Sequence, residues 1–158
     1  MNVSELLSDI KNQDVVLPEF QREYVWKREQ AKQLMVSLLN KYPVGGLLFW
    51  KTDNPPELKN VDDLPDRMGT VQIILDGQQR LTTLYMLIQG EIPPYYTEAE
   101  IENDIRNLYY NLDDRDFQYY QHLRMKDNPL WLRVVDCFNN PSIDVFKLAQ
   151  GNTDEEVD

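Results

Sequence analysis

The sequence predicts a mixed α/β chain. Three observations carry this. Apolar residues recur at helical spacing in "REQAKQLMVSLLNKY" and "QRLTTLYMLIQG". Short β-rich runs, "DVVL", "GLLFWK" and "VQIIL", stand between them. Pro and Gly punctuate the joins, as in "YPVGG".

In chain order, Val3, Leu6, Leu7 and Ile10 follow helical spacing, so a short helix near residues 3–11 opens the chain. Val15–Leu17 reads as a short strand that Pro18 ends or sets at an edge. Ala31, Leu34, Met35, Leu38 and Leu39 make one helical stripe, and "YPVGG" stops it. "GLLFWK" reads as a buried strand. Residues 52–70 form a polar excursion with three prolines and five acids. "VQIIL" is a central strand. The following helix carries Leu81, Leu84, Tyr85 and Ile88 on one face and closes at Gly90 as the C′ residue. "IRNLYYNLD", "RDFQYYQHLRM" and "WLRVVDCF" read as strands, and "DVFKLAQ" starts a helix. The acidic ending "GNTDEEVD" suggests a domain cut from a longer protein, or a frayed tail.

The 158 residues suit a single domain spanning 1–158. A hydrophobic fraction of 42% and an aromatic fraction of 11% indicate a globular chain. The single cysteine, Cys137, rules out an internal disulfide framework and suits a reducing compartment. No apolar run reaches the roughly 20 residues of a membrane span. "MNVSELLSDIKNQ" has no basic region before an apolar stretch, so it is no signal peptide. The expected location is the cytoplasm. Net charge is −11, and it is uneven. Residues 1–60 balance eight basic against eight acidic residues, whereas residues 61–158 set eight against nineteen. That acidic half argues against DNA binding by backbone electrostatics alone.

The stretch "ILDGQQRLTTL" has two readings. In the first, Asp76 caps a helix and Gln79, three residues on, completes a capping box, at about 1 kcal/mol for the cap. In the second, the same strand–glycine–helix turn is a phosphate site. Helix-end N–H groups and the helix dipole favour an anion. Gly77 lets the backbone come close. Arg80 offers a forked contact. Gln78 or Gln79 orients a water or a base, and Asp76 holds a metal. It is not a P-loop, since no G-x-x-x-x-G-K-[ST] occurs. "LPEFQREYVWKREQ" has a similar duality. Phe20, Tyr24, Val25 and Trp26 pack on the core in one reading; in the other, Gln21 and Arg22 are a polar pair turned to a ligand between aromatic anchors.

Together, "LPEFQREYVW", "KYPVGGLLFW" and "ILDGQQRLTTL" resemble the N-terminal domain of GmrSD-type restriction proteins, over roughly residues 10–90. The resemblance implies the ParB/sulfiredoxin-like fold, a small mixed sheet with flanking helices. It also implies a Mg²⁺-dependent nucleoside triphosphatase, coupled to cleavage of foreign DNA in phage defence. Carried over, Gln21, Arg22, Gly77, Gln78 and Arg80 would bind the nucleotide. Asp76, Gln79 and Arg80 would act in catalysis, and Asp76 would take the metal. The turn reads Gly77-Gln78-Gln79-Arg80, without the cysteine of sulfiredoxins, which excludes their chemistry. Residues 91–158 show no basic recognition helix of the ParB kind. His122 is the sole histidine, too few for an HNH nuclease, so that part is expected as a partner domain or subunit that meets the DNA. The alternatives are a nucleotide sensor or interaction module without turnover, and, more weakly, a ParB-like nuclease.

Asp113, Asp114 and Asp116 offer a carboxylate cluster for Mg²⁺, but such a run is more often a polar turn. The pairs Tyr95-Tyr96, Tyr109-Tyr110 and Tyr119-Tyr120 would stack on bases. Strand alternation instead expects one of each pair to pack and the other to be exposed. Cys137, in an apolar run, is expected in the core.

Overall fold

A computed structural model describes residues 2–60 and 70–139, which contain five α-helices and two three-stranded sheets. This is the mixed α/β architecture the sequence predicts. The chain divides into two compact units. The first is drawn from Met1–Trp26, Gly45–Tyr85 and Glu91–Asn103, the second from Lys27–Val44, Met86–Gly90 and Asp104–Asp158.

In the first unit, helix α1 (Val3–Lys11) starts at a capping box. The Asn2 side chain accepts the Glu5 N–H at 2.8 Å, and the Glu5 carboxylate accepts the Asn2 N–H at 3.4 Å. Leu6, Leu7 and Ile10 are buried, and Val3 is exposed. Strand β3 (Val71–Asp76) is the centre of the sheet β1-β3-β2. Strand β1 (Val15–Val16) lies parallel to it and β2 (Leu48–Thr52) antiparallel, with Val16 beside Ile73 and Trp50 beside Ile73. Strand β2 is not buried as expected: Leu48 is 56% and Trp50 45% exposed. The reason is its place at the edge, where among the described residues only β3 adjoins it. Pro18 follows β1 and pairs in an isolated bridge with Leu58. The Glu19 N–H donates to Glu57 O and the Lys59 N–H to Leu17 O, both at 2.9 Å. Part of the polar excursion is therefore tied along the chain that follows β1; residues 61–69 lie outside the described ones.

Helix α3 (Gln78–Gln89) buries more than its expected stripe. Leu81, Thr82, Thr83, Tyr85, Met86 and Leu87 are buried, while Leu84 and Ile88 are half-buried. The two threonines tolerate burial because their hydroxyls are bonded. Thr82 Oγ1 meets Tyr95 Oη at 2.8 Å; Thr83 Oγ1 donates to Gln79 O and meets Tyr24 Oη, both at 2.8 Å. Gly90 ends the helix with φ +73°.

The second unit is built on β4 (Leu108–Asn111), flanked by antiparallel β5 (Asp116–Tyr119) and β6 (Trp131–Arg133). Helix α2 (Arg28–Leu39) buries Ala31, Leu34 and Met35; Leu38 and Leu39 are half-buried. Two strand expectations are corrected. In "WLRVVDCF" only Trp131–Arg133 is strand, and Val134–Asn139 is helix α5. In "RDFQYYQHLRM" the strand ends at Tyr119, and helix α4 spans His122–Met125. Apolar runs this short do not distinguish strand from helix by periodicity. The helix expected at "DVFKLAQ" lies outside the described residues. The Asp113/Asp114 run is a turn, in which Asn111 Oδ1 accepts the N–H groups of both residues at 2.8 Å. Cys137 is buried, which pushes its thiol up to about 11. Among the described residues no helix is long and apolar enough to cross a membrane.

Candidate functional site

Strand β3 ends at Asp76, Gly77 turns with φ +92°, and α3 starts at Gln78. A Cβ on Gly77 would strike the Leu47 side chain, so this turn needs glycine for both its angle and its space. Gly77 O accepts the Leu81 N–H at 3.0 Å, which makes Gly77 the residue that precedes the first turn. The expected capping box does not form. Asp76 stands one residue too early, and its Oδ1 takes the Gly77 N–H at 2.9 Å. Gln79 reaches elsewhere.

The Gln79 carboxamide grips the segment that sequence reading paired with this turn. Its Oε1 accepts the N–H of Val25 at 3.0 Å and of Trp26 at 3.2 Å, and its Nε2 donates to Glu23 O at 2.9 Å. Two further side chains hold the same backbone: Tyr96 Oη donates to Arg22 O at 2.8 Å and Asn103 Nδ2 to Trp26 O at 3.1 Å. Gln21 Nε2 donates to Leu75 O at 3.0 Å, and Gln78 Nε2 donates to Gln21 Oε1 at 3.2 Å. Two motifs more than fifty residues apart are thus laced by amides, with Gln78 and Gln79 both buried. The aromatic anchors behave differently from expectation. Tyr24 is fully buried and Trp26 half-buried, but Phe20 is 74% exposed.

A cleft of about 270 Å³ results, lined by Arg22, Trp26, Asp76, Gly77, Gln78, Gln79 and Arg80. Gln21 is attached through Gln78 and does not line it. Arg22 and Asp76 are exposed, and Arg80 is half-buried. Two guanidinium groups and a helix N-terminus thus face one carboxylate, an arrangement that favours an anion. Arg80 is also seated: Nη2 donates to Gly46 O, and a Cβ on Gly45 (φ +90°) would occupy the guanidinium's place. Sequence reading took this Gly-Gly pair as a helix stop and missed its role as a cradle. The one signal was two adjacent glycines ahead of a strand.

Among the described residues, Asp76 is the only acidic one in the lining. An exposed carboxylate beside two arginines and a helix N-terminus has the oxygen chemistry that Mg²⁺ takes, one or two carboxylates together with other oxygens and water. His122 is exposed and touches Tyr120 Oη through Nδ1 at 3.2 Å. Tyr95 and Tyr96 are both buried, contrary to the strand alternation, because they sit outside any strand; their rings meet edge to face at 5.0 Å. In the other two pairs Tyr110 is buried, Tyr109 and Tyr119 are half-buried, and Tyr120 is 39% exposed.

Residues 3–150 match the family described as GmrSD restriction endonuclease, N-terminal domain. The chain is also similar to an uncharacterized protein of Methanocaldococcus jannaschii, 29% identical over 147 residues that cover 80% of this chain and 25% of that protein. The chain therefore spans about a quarter of the length of this curated relative.

Proposed function

We propose that this chain, which belongs to the family of GmrSD restriction endonuclease N-terminal domains, binds a nucleoside triphosphate in the Arg22/Arg80 cleft and hydrolyses it with Mg²⁺. The observation that carries the reading is the meeting of Arg22, Arg80 and the start of α3 in one cleft. Water attacks the γ-phosphorus and passes a proton to a γ-phosphate oxygen, the bond to the bridging oxygen breaks, and the diphosphate leaves with the electron pair. Arg22, Arg80 and the helix N–H groups stabilise the charge on the phosphate oxygens. Bound Mg²⁺ would neutralise the β- and γ-phosphate charge, with Asp76 as its protein ligand. Gln78 lines the cleft while its Nε2 donates to Gln21 Oε1, and Gln79 acts as a positioning residue that holds the 23–26 backbone. Within a restriction protein acting in phage defence, this turnover would govern an HNH-type nuclease domain or subunit that contacts the DNA.

The test is Mg²⁺-dependent phosphate release. The wild type is expected to release phosphate and Asp76→Asn to lose that release while still binding nucleotide. One observation favours a second reading, a nucleotide sensor without turnover: the Gln79 amide is spent on the backbone of Glu23, Val25 and Trp26. Binding with no release by the wild type would select the sensor. The nuclease alternative has no comparable support, since the chain carries a net charge of −11, which opposes binding to a DNA backbone.

A further inference from the structure

We propose that the second unit carries a separate site for a small phosphate monoester, held by Arg28, Arg106 and Arg133. Arg28 opens α2, Arg106 precedes β4 and Arg133 ends β6. With Asp104 and Asn107 these three line one cleft of about 360 Å³. Their convergence from three elements stands out in a chain of net charge −11.

Each guanidinium is set in place before any ligand arrives. Arg28 lies over the Tyr119 ring, 5.2 Å from its centroid, and Tyr119 Oη donates to Arg28 O at 2.7 Å. Stacking holds the plane of a guanidinium and leaves its N–H edge for an oxyanion. Arg133 Nε donates to Arg106 O at 3.1 Å, which aims its remaining donors. Arg106 forks onto Asp104, with Nη2 to Oδ2 at 2.8 Å and Nε to Oδ1 at 3.1 Å. Two carboxylates oppose the three cations. Asp104 is engaged by Arg106, and the exposed Asp136 stands 4.0 Å from Arg133 Nη1. A purely structural network needs only the Arg106–Asp104 pair. Arg28 and Arg133 add positive charge that this pair does not require.

Asn107 refines the ligand's chemistry. Its Oδ1 is buried and has no hydrogen-bond partner. An unfilled acceptor in the wall calls for a donor next to the anion, such as a sugar hydroxyl. The cleft volume is at the small end of ligand sites, roughly 300–1,000 Å³, which favours a monoester over a polymer. A phosphorylated sugar or nucleoside monophosphate satisfies both demands. Among the described residues the site shares no lining residue with the Arg22/Arg80 cleft, so it stands whether or not the triphosphatase reading does.

The test is calorimetric titration of the full chain with ribose 5-phosphate, inorganic phosphate and oligothymidylate. Wild type, Arg28→Gln, Arg133→Gln, Asn107→Asp and Arg80→Ala are compared, and cooperative urea unfolding checks each fold. Ribose 5-phosphate should bind one equivalent, more tightly than inorganic phosphate. Arg28→Gln, Arg133→Gln and Asn107→Asp should each weaken it roughly tenfold or more. Arg80→Ala should leave it unchanged. The proposal is overturned by absent binding, by loss in Arg80→Ala, by unchanged affinity in folded Arg28→Gln and Asn107→Asp, or by tighter binding of the oligonucleotide.

Discussion

The Gln79 side chain accepts the Trp26 backbone N–H at 3.2 Å, although the two residues lie 53 positions apart. With Val25 and Glu23 it makes three bonds to one short segment. Gln79→Ala strands two backbone donors and an acceptor, so a loss of about 2–4 kcal/mol is expected. Urea unfolding checks it. Gln79→Glu should not recover the loss, since it buries a carboxylate and sets it against Glu23 O where the amide had donated.

Glu100 links acid stability to the first unit. Burial alone would raise its carboxyl, but hydrogen bonds from Asn60, Thr97 and Lys59 outweigh that and hold it at about 2, against an ordinary 4.5. A depressed folded value stabilises the fold above the unfolded value, and the gain is lost as pH falls from 4.5 toward 2. The wild type should therefore weaken across that window more steeply than Glu100→Gln. Chemical unfolding at stepped pH measures the slope, and equal slopes would refute the assignment.

Tyr95 gives the alkaline counterpart. Burial pushes its phenol far above the ordinary 10.0, while the Thr82 hydrogen bond pulls modestly the other way. The unfolded chain releases this proton first, so stability present below pH 10 is lost as pH rises beyond it. Tyr95→Phe should flatten that decline. At neutral pH, Thr82→Val removes a buried partner and should cost about 1–3 kcal/mol, read from the shift in urea midpoint.

Gly45 seats Arg80. An alanine there would carry strain at φ +90° and a methyl in the guanidinium's place. Gly45→Ala should cost about 1–2 kcal/mol from the backbone alone. It should also weaken nucleotide binding, whereas Gly46→Ala, where a Cβ meets nothing within 4 Å, should spare both. Thermal melts and titrations of the two variants compare them directly.

Long periodic elements were legible from sequence. Helices α1, α2 and α3 lie where Leu6–Ile10, Ala31–Met35 and Leu81–Tyr85 place them, and Gly90 ends α3 as its position suggests. Short elements were not. Val134–Val135 were expected in a strand but open helix α5, since a run this short fits either period. The exposure of Trp50 depends on strand order, which a local pattern does not contain. Around the candidate site, Asp76, Gly77 and Arg80 were visible as a turn, and Gln21 and Arg22 as an unusually polar loop. Which atoms Gln79 would grip, and that Gly45 would cradle Arg80, are long-range facts that no spacing encodes.

Arg22 and Arg80 are proposed to make a phosphate site at the start of α3. Calorimetry with ATP, GTP, CTP and UTP, with and without Mg²⁺, tests it most directly. Arg22→Ala is the cleaner variant, because its side chain is exposed and only its backbone is held, by Tyr96. Binding of at least one nucleotide by the wild type, weakened roughly tenfold or more in both Arg22→Ala and Arg80→Ala, is the predicted result. No binding by the wild type, or undiminished binding by both variants, would contradict it.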